Sequence, residues 1–567
     1  MSNKTKYIFV TGGVLSGLGK GIVTASISYL LKQSGFKVSP VKCDMYLNMD
    51  AGTMNPFEHG EIFVTGDGEE CDQDIGHYER FTHQNLTHAN YLTSGQIYSS
   101  VIKKERALKY NGKCVEAFPF LADEIEKRFK IAAKGSDFII IELGGTVGEY
   151  QNIVFLETAR RIASNNYSDT CFVHLGYLPI PKKLGEMKTK PIQQSITSLN
   201  SVGIFPDIVI CRAEKQVDII RKKKIAIAAG LPIENIISDP DLDNVYKVPT
   251  VFENQQLSKL IFRKLHIKFR KPDLKKINSF EKKLSLLKKK IKIAMVGKYY
   301  ASGKFTLTDS YISVTEAIKH ASWYSGFKPE IVWYDSEIGE KDGFKGLEKV
   351  DGIIVPQGWG SRGVEGKIKA VEFARVNKIP YLGLCFGMQM ACIEFARHVC
   401  GLKNANSTEV NPKTSYPVIH IMPEQKKYLK KQQFGDTIRL GDWPCRIKKG
   451  TLLYEAYEKH QRNPKPETQN SKQYQMFKIQ NSKFIIHERH RHRYELNQTY
   501  RKLFEKNGLV FSGVSPDGKL VEAIELPKSL HPFFIGTQFH PEYKSKPLNP
   551  HPIFIAFIKA AVKNKKL

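Results

Sequence analysis

Two stretches hold residue types at spacings that support chemistry. In the first, Gly12, Gly13, Gly17, Gly19 and Gly21 surround Lys20, after the apolar run Tyr7–Val10 and before a helical run from Ile22 to Leu31. Strand, glycine loop and helix together aim backbone N–H groups and the positive end of a helix at an anion. Lys20 would reach the terminal phosphates of a nucleotide. The glycine spacing is one residue longer than in the common phosphate loop, and Gly21 stands where a metal-binding hydroxyl is expected, so the metal's carboxylates must come from elsewhere. Read alone, the stretch also fits a tight glycine-rich turn. In the second, Tyr381-Leu-Gly-Leu-Cys385-Phe-Gly-Met-Gln389 sets a cysteine between an apolar strand and a helical run. A sharp turn there exposes the thiol, and helix-end N–H groups stabilise a thiolate and a nearby oxyanion. A cysteine in such a run is otherwise a core filler. Near the end, Gln538-Phe-His540-Pro-Glu542 carries an imidazole and a carboxylate two residues apart. On extended backbone those side chains face the same way, which is the Cys-His-acid logic of nucleophilic acyl transfer.

Alternating elements must hold these groups. Up to about Leu265, continuous apolar runs such as Phe138–Glu142, Cys171–Leu175 and Ile208–Cys211 alternate with amphipathic stretches such as Ala122–Ala133, the pattern of buried parallel strands between helices. A second alternation starts at Ile291–Val296 and continues through Gly352–Val355, Tyr381–Leu384 and Phe533–Gln538. The expected fold class is α/β, with two doubly wound domains. The boundaries are 1–268, a lysine-rich linker at 269–291 with a short helix from Phe280 to Lys290, and 292–567. Residues 459–482, rich in Gln, Asn, Lys and Pro, read as a solvated insertion.

The 567 residues suffice for two sizeable cores. Nine scattered cysteines without a C-x-x-C pair predict free thiols. No apolar run approaches the roughly 18 residues of a membrane span, and no signal peptide is expected, so the predicted location is cytoplasmic. The net charge of +29 is spread along the chain with a local excess between Lys264 and Lys292. That fits a lysine-rich surface and attraction of polyphosphates better than a nucleic-acid partner.

Longer stretches carry a resemblance. Gly12 to Gly21, Asp67 to Arg80 ending in Gly-His-Tyr-Glu-Arg, Ile141-Glu-Leu-Gly-Gly-Thr-Val-Gly148 and Lys188-Thr-Lys-Pro191 resemble the synthetase domain of the CTP synthases. Asn406-Ser-Thr-Glu409, Arg439-Leu-Gly441, Glu488-Arg-His-Arg-His-Arg-Tyr-Glu495 and the cysteine elbow resemble a class I glutamine amidotransferase. The resemblance covers nearly the whole chain. It implies a P-loop-like, dethiobiotin-synthetase-like first domain, and amination of UTP to CTP through a 4-phosphorylated intermediate. ATP is the co-substrate, Mg²⁺ the metal, and ammonia from glutamine travels inside the protein. It further implies GTP as activator, CTP as feedback inhibitor and a homotetramer, with filaments as a higher assembly.

By resemblance, Cys385 is the nucleophile, His540 the base and Glu542 the orienting acid. Gln357 and Phe386 supply oxyanion N–H groups, and Gly358, Phe386, Gly387, Met388, Gln389, Glu409 and Arg493 bind glutamine. Ser16, Gly17, Leu18, Gly19, Lys20, Gly21, Lys42, Asp74, Pro240, Asp241 and Leu242 fall at ATP positions, with Asp74 and Glu142 as metal carboxylates. Ser16, Glu149, Tyr150, Gln151, Lys188, Thr189, Lys190, Pro191, Ile192, Gln193 and Lys224 fall at UTP and CTP positions.

The chain departs from the family pattern at several points. Pro356-Gln-Gly-Trp-Gly360 stands for Pro-Gly-Gly-Phe-Gly; a positive φ at Gln357 would cost roughly 1 kcal/mol or more and weaken the glutaminase. Glu116 and Phe120 replace a Gln and a His beside the pyrimidine site, Glu149-Tyr150-Gln151 replaces Asp-Ile-Glu, and Pro240-Asp241-Leu242 lacks a common basic residue.

Overall fold

The computed structural model describes residues 4–15, 17–298, 301–302, 305–306, 308–422, 438–462 and 484–565. Ser16 and positions 463–482 of the expected insertion lie outside them. The chain divides into two compact units, residues 1–51 with 74–283, and residues 52–73 with 284–567.

The first unit is built on seven parallel strands: β1 (Lys6–Gly12), β2 (Val38–Asp44), β3 (Tyr91–Thr93), β4 (Phe138–Leu143), β5 (Thr170–Tyr177), β6 (Ile208–Ala213) and β7 (Ile236–Pro240). Their order is β3-β2-β4-β1-β5-β6-β7. Apolar side chains cover both faces: Ile8, Val10, Ile140 and Val173 pack in one cluster, Phe9, Val41, Ile141 and Phe172 in the other. Burial on both sides is why these strands read as continuous apolar runs. Helix α1 (Lys20–Gln33) follows the glycine loop and α2 (Lys190–Ser201) follows β5. The linker helix lies at Lys275–Ser285, earlier than expected: the Asp273 side chain accepts from the Lys275 N–H at its start, and Ile277 is its buried contact.

The main sheet of the second unit has nine strands: β8 (Lys290–Gly297), β9 (Lys328–Asp335), β10 (Gly352–Val355), β11 (Tyr381–Leu384), β12 (Arg439–Ile447), β13 (Ile485–His492), β14 (Val510–Val514), β15 (Val521–Glu525) and β16 (Phe534–Thr537). The order is β9-β8-β10-β11-β16-β15-β14-β12-β13. The sheet is parallel from β9 to β16 and antiparallel beyond, so the second fold is α/β with a mixed sheet. Helices α3 (Val364–Val376) and α4 (Phe386–His398) pack on it. A hairpin of Ile62–Val64 and Glu70–Asp72 belongs to this unit although its sequence interrupts the first. None of the nine cysteines is joined in a disulfide. Among the described residues no helix is long and apolar enough to cross a membrane.

Candidate functional site

In the second unit, β11 and β16 are parallel neighbours with Leu384 opposite Thr537, so Cys385 and His540 both lie just past strand carboxyl ends. Cys385 takes φ 51° and ψ −100° between β11 and α4, a strained geometry for a side chain other than glycine and one that clusters at active sites. Its N–H donates to Thr537 O at 2.6 Å, and Gln538 Nε2 donates to its sulfur at 3.5 Å. His540 Nδ1 donates to Glu542 Oε1 at 2.7 Å, while its Nε2 has no hydrogen-bond partner among the described residues. Burial alone would lower the His540 pKa, but the charges of Glu542 and Cys385 override it and raise the group to about 10. Cys385, His540, Phe386, Gln389, Glu409 and Arg493 line one cavity, which brings the expected triad and glutamine residues together.

Gln389 Nε2 donates to Tyr494 O at 2.9 Å, and its buried Oε1 has no partner among the described residues. Glu409 Oε1 accepts from Gly360 N at 2.6 Å; burial raises its pKa, against the pull of that N–H, Lys298 and Arg493. Gln357 is not at positive φ, whereas Gly360 is, at 73°, so the cost anticipated for glutamine at 357 does not arise. Its side chain points instead to the hairpin segment, where Nε2 donates to Glu61 Oε1 at 3.3 Å. Gly387 and Met388 are in the first turn of α4. A Cβ on Gly387 would lie 1.9 Å from Val355 O, so only glycine lets α4 approach β10 this closely.

Sequence reasoning missed the second layer. Lys298 and Lys367 are buried and donate to carbonyls of residues 356–360. Arg491 pairs with Glu70 of the hairpin at 2.7 Å, and Arg489 donates to Val64 O at 2.9 Å. His490 Nδ1 and His492 Nε2 share a hydrogen bond of 2.9 Å, and burial drives both well below the ordinary imidazole pKa. Alternation of charged residues along β13 was the available signal, since i and i+2 share a face.

In the first unit, register assembles the charged cluster. Lys42 on β2 and Val10 on β1 both flank Glu142 on β4. Lys42 Nζ lies 3.0 Å from Glu142 and 2.5 Å from Asp74, and the Tyr78 hydroxyl donates to Glu142 Oε2. Burial, then the charge of Asp74, pushes Glu142 up to about 7. Gly17 and Gly19 take positive φ ahead of α1, and so does Val14, a strained choice in the loop. Lys20 Nζ donates to Gly145 O at 2.7 Å. A Cβ on Gly21 would lie 1.8 Å from Asp74 Oδ1. The Asp74 carboxylate thus occupies the space that a serine or threonine side chain would take at 21, which accounts for the glycine. Two carboxylates held close together, Glu142 buried and Asp74 partly exposed, offer the oxygen ligands that a divalent cation takes.

Most of the residues expected at UTP and CTP positions fall on α2, on the segment before it and on the loop after β4. Thr189 precedes α2 and Lys190, Pro191, Ile192 and Gln193 open it, with Gln193 Nε2 donating to Thr189 Oγ1 at 3.1 Å. Lys188 is paired with Glu186 at 2.7 Å, a carboxylate whose pKa Lys188, Arg221 and Lys224 all lower; Arg221 and Glu186 were not foreseen. Glu149 accepts from Thr146 Oγ1 at 2.6 Å, and Tyr150 and Gln151 beside it are exposed. Phe120 packs edge-on against Tyr110, and Glu116 is exposed at the start of helix Ala117–Ala132. Asp241, after β7, pairs with Arg212 at 2.8 Å, with Pro240 and Leu242 on either side. Fully buried His174 on β5 joins Thr11 of β1 at 2.9 Å to Ser195 of α2 at 2.7 Å.

A family profile described as CTP synthase N-terminus matches residues 6–267, and one described as glutamine amidotransferase class-I matches residues 306–560. The chain is 45% identical over 564 residues to a CTP synthase of Pyrococcus abyssi, covering 99% of each. It is 45% identical over 565 residues to a CTP synthase of Clostridium kluyveri, again covering 99% of each. A solved Trypanosoma brucei CTPS glutaminase domain with bound acivicin is 34% identical, with a TM-score of 0.40, over 49% of this chain and 96% of its own. The chain belongs to the family of glutamine-hydrolysing CTP synthases.

Proposed function

We propose that the second unit releases ammonia from glutamine at Cys385 and the first spends it on UTP. In the glutaminase site, the Cys385 sulfur attacks the amide carbon as thiolate, and the His540 imidazolium donates its proton to the departing nitrogen, leaving a thioester on Cys385. A water that gives its proton back to His540 then frees glutamate. Arg493 suits the α-carboxylate through a bidentate fork, Glu409 the α-ammonium, and Gln389 Oε1 is an acceptor awaiting a donor. The N–H groups of Gln357 and Phe386 are the oxyanion donors.

In the first unit, the loop from Ser16 to Gly21, Lys20 and Lys42 hold the ATP phosphates, with Pro240, Asp241 and Leu242 on the adenine side. Lys188 to Gln193, Lys224 and residues 149–151 take UTP or CTP. Asp74 and Glu142 would hold Mg²⁺, which supplies charge neutralisation to the transferring phosphoryl group. Phosphorylation of O4 turns it into a leaving group, and ammonia attacks C4. An internal passage keeps that ammonia from becoming ammonium in water. The reading extends to GTP as activator, CTP as inhibitor and a tetramer, and the exposed Leu108, Tyr150 and Ile153, apolar surface of the kind subunits cover, support the last.

The observation that carries the reading is His540, bound to Glu542 through Nδ1 and open at Nε2 in the cavity of Cys385. Cys385→Ala tests it: glutamine-dependent CTP formation should vanish while ammonia-dependent formation persists. Glutamine-dependent synthesis surviving in that variant contradicts it.

A further inference from the structure

The loop Pro356-Gln-Gly-Trp-Gly360 turns its carbonyls toward two buried ammonium groups. Lys367 Nζ, on the first turns of α3, donates to Pro356 O at 2.8 Å and to Gln357 O at 3.3 Å. Lys298 Nζ, just after β8, donates to Trp359 O and to Gly360 O at 2.9 Å. Within a trans peptide the C=O and the next residue's N–H point in opposite directions. A carbonyl drawn to Lys367 therefore drives the N–H of Gln357 or Gly358 the other way. One case is directly visible: the Trp359 carbonyl goes to Lys298, and the N–H of the same peptide, on Gly360, donates to Glu409 in the Cys385 cavity.

We infer that Lys367 is a positioning residue for the glutaminase: it clamps the Pro356 and Gln357 carbonyls so that the loop presents donors to the oxyanion formed at Cys385. The placement is built in. Both lysines are buried on elements of the unit's core, and both stand over the Phe386 ring, at 4.7 Å for Lys298 and 5.3 Å for Lys367. Gly358 is required by them: a Cβ there would lie 2.8 Å from Lys298 Cε and 3.3 Å from Lys367 Nζ. Burial of an ammonium is costly unless it is hydrogen-bonded, and here the carbonyls supply the bonds. Burial, then the charge of Lys298, lowers the Lys367 pKa, and Cys385 opposes them. The orientation does not depend on the charge, because a neutral amine keeps the two N–H donors that two carbonyls need. Where the charge is present it polarises the Pro356–Gln357 peptide and makes its N–H a stronger donor.

The inference rests on the glutaminase reading above, and its test separates the two. In the full chain, Lys367→Met removes the donors, and Lys367→Gln keeps two N–H donors on a shorter, neutral side chain. For Lys367→Met, kcat with glutamine should fall about tenfold or more with KM for glutamine within about twofold. The inhibition constant of the γ-aldehyde of glutamate, which forms a tetrahedral adduct with the thiol, should rise by a similar factor. Lys367→Gln should lose less. Loss of packing alone would instead weaken glutamine and aldehyde together. Lys367→Leu, which also removes the donors, should show the same split and covers the case of an insoluble methionine variant. A parent-like kcat, or a loss confined to KM, in soluble Lys367→Met or Lys367→Leu overturns the clamp. If Cys385→Ala keeps glutamine-dependent synthesis, the glutaminase reading fails; if it loses it while Lys367→Met stays parent-like, only the clamp fails.

Discussion

Glu542 decides what His540 can do. Buried without it, the imidazole would shed its proton; with it and the Cys385 charge, the pKa is raised to about 10. A group raised above its unfolded value stabilises the fold fully below about pH 6.5 and loses that contribution as pH rises through about 10. Glu542→Gln should therefore move the alkaline limb of the glutamine-dependent rate down by about one pH unit or more, read from a pH–rate profile; an unmoved limb contradicts the assignment. In the first unit, Gly21→Ser would drive a side chain into the Asp74 carboxylate. Ammonia-dependent CTP formation should fall at least about tenfold, while glutamine hydrolysis measured alone persists. Cys385 was legible at a strand-to-helix turn, His540 and Glu542 as a pair two residues apart, and the glycine loop as a strand–loop–helix, because local sequence sets each of these. Lys298 and Lys367 were not, since a lysine beside a strand or on an amphipathic helix reads as surface until packing shows what surrounds it.

At the scale of elements, register does the assembling. Thr11 lies opposite His174 across β1 and β5, and His174 in turn holds Ser195 of α2. Ser195 Oγ lies 1.6 Å from where a Gly13 Cβ would be, so the hydroxyl rests against the glycine loop. One imidazole, pushed down to about 3 by burial and Lys20 and hence neutral, ties the loop to the helix that opens with Lys190. Misplacement by an ångström costs reactions of this kind on the order of 100-fold. His174→Phe should lower kcat for ammonia-dependent CTP formation by tenfold or more, and kinetics with ATP and UTP varied in turn check it; an unchanged kcat shows the tie to be dispensable. The strands were legible as apolar runs, and Gly352–Val355 and Tyr381–Leu384 match their observed bounds. The antiparallel half of the second sheet was not. Its strands β12 and β13 are rich in arginine and histidine, and their burial depends on pairs such as Arg439 with Glu522 at 2.7 Å.

For the whole molecule, contiguous sequence proved a poor guide to which residues fold together. Residues 52–73 lie inside the stretch matching the CTP synthase N-terminus, yet they pack with the second unit. Glu70 neutralises buried Arg491, Val64 O takes Arg489, Ile62 O takes the Tyr543 hydroxyl, and Glu61 accepts from Ser313 N. No periodicity marks such an excursion, because its partners are more than 200 residues away. Glu70→Ala would strand a buried guanidinium, a change that typically costs about 3–5 kcal/mol. Denaturant unfolding of the second unit should show that loss, and an unaltered midpoint would deny the hairpin its role. The central claim is that nitrogen leaving glutamine at Cys385 becomes the amino group of CTP without meeting bulk water. Supplying amide-¹⁵N glutamine with excess unlabelled ammonium, at a pH where ammonium reacts slowly, tests this most directly. The account predicts CTP carrying nearly the full enrichment of the glutamine amide; label diluted to the composition of the ammonium pool would contradict it.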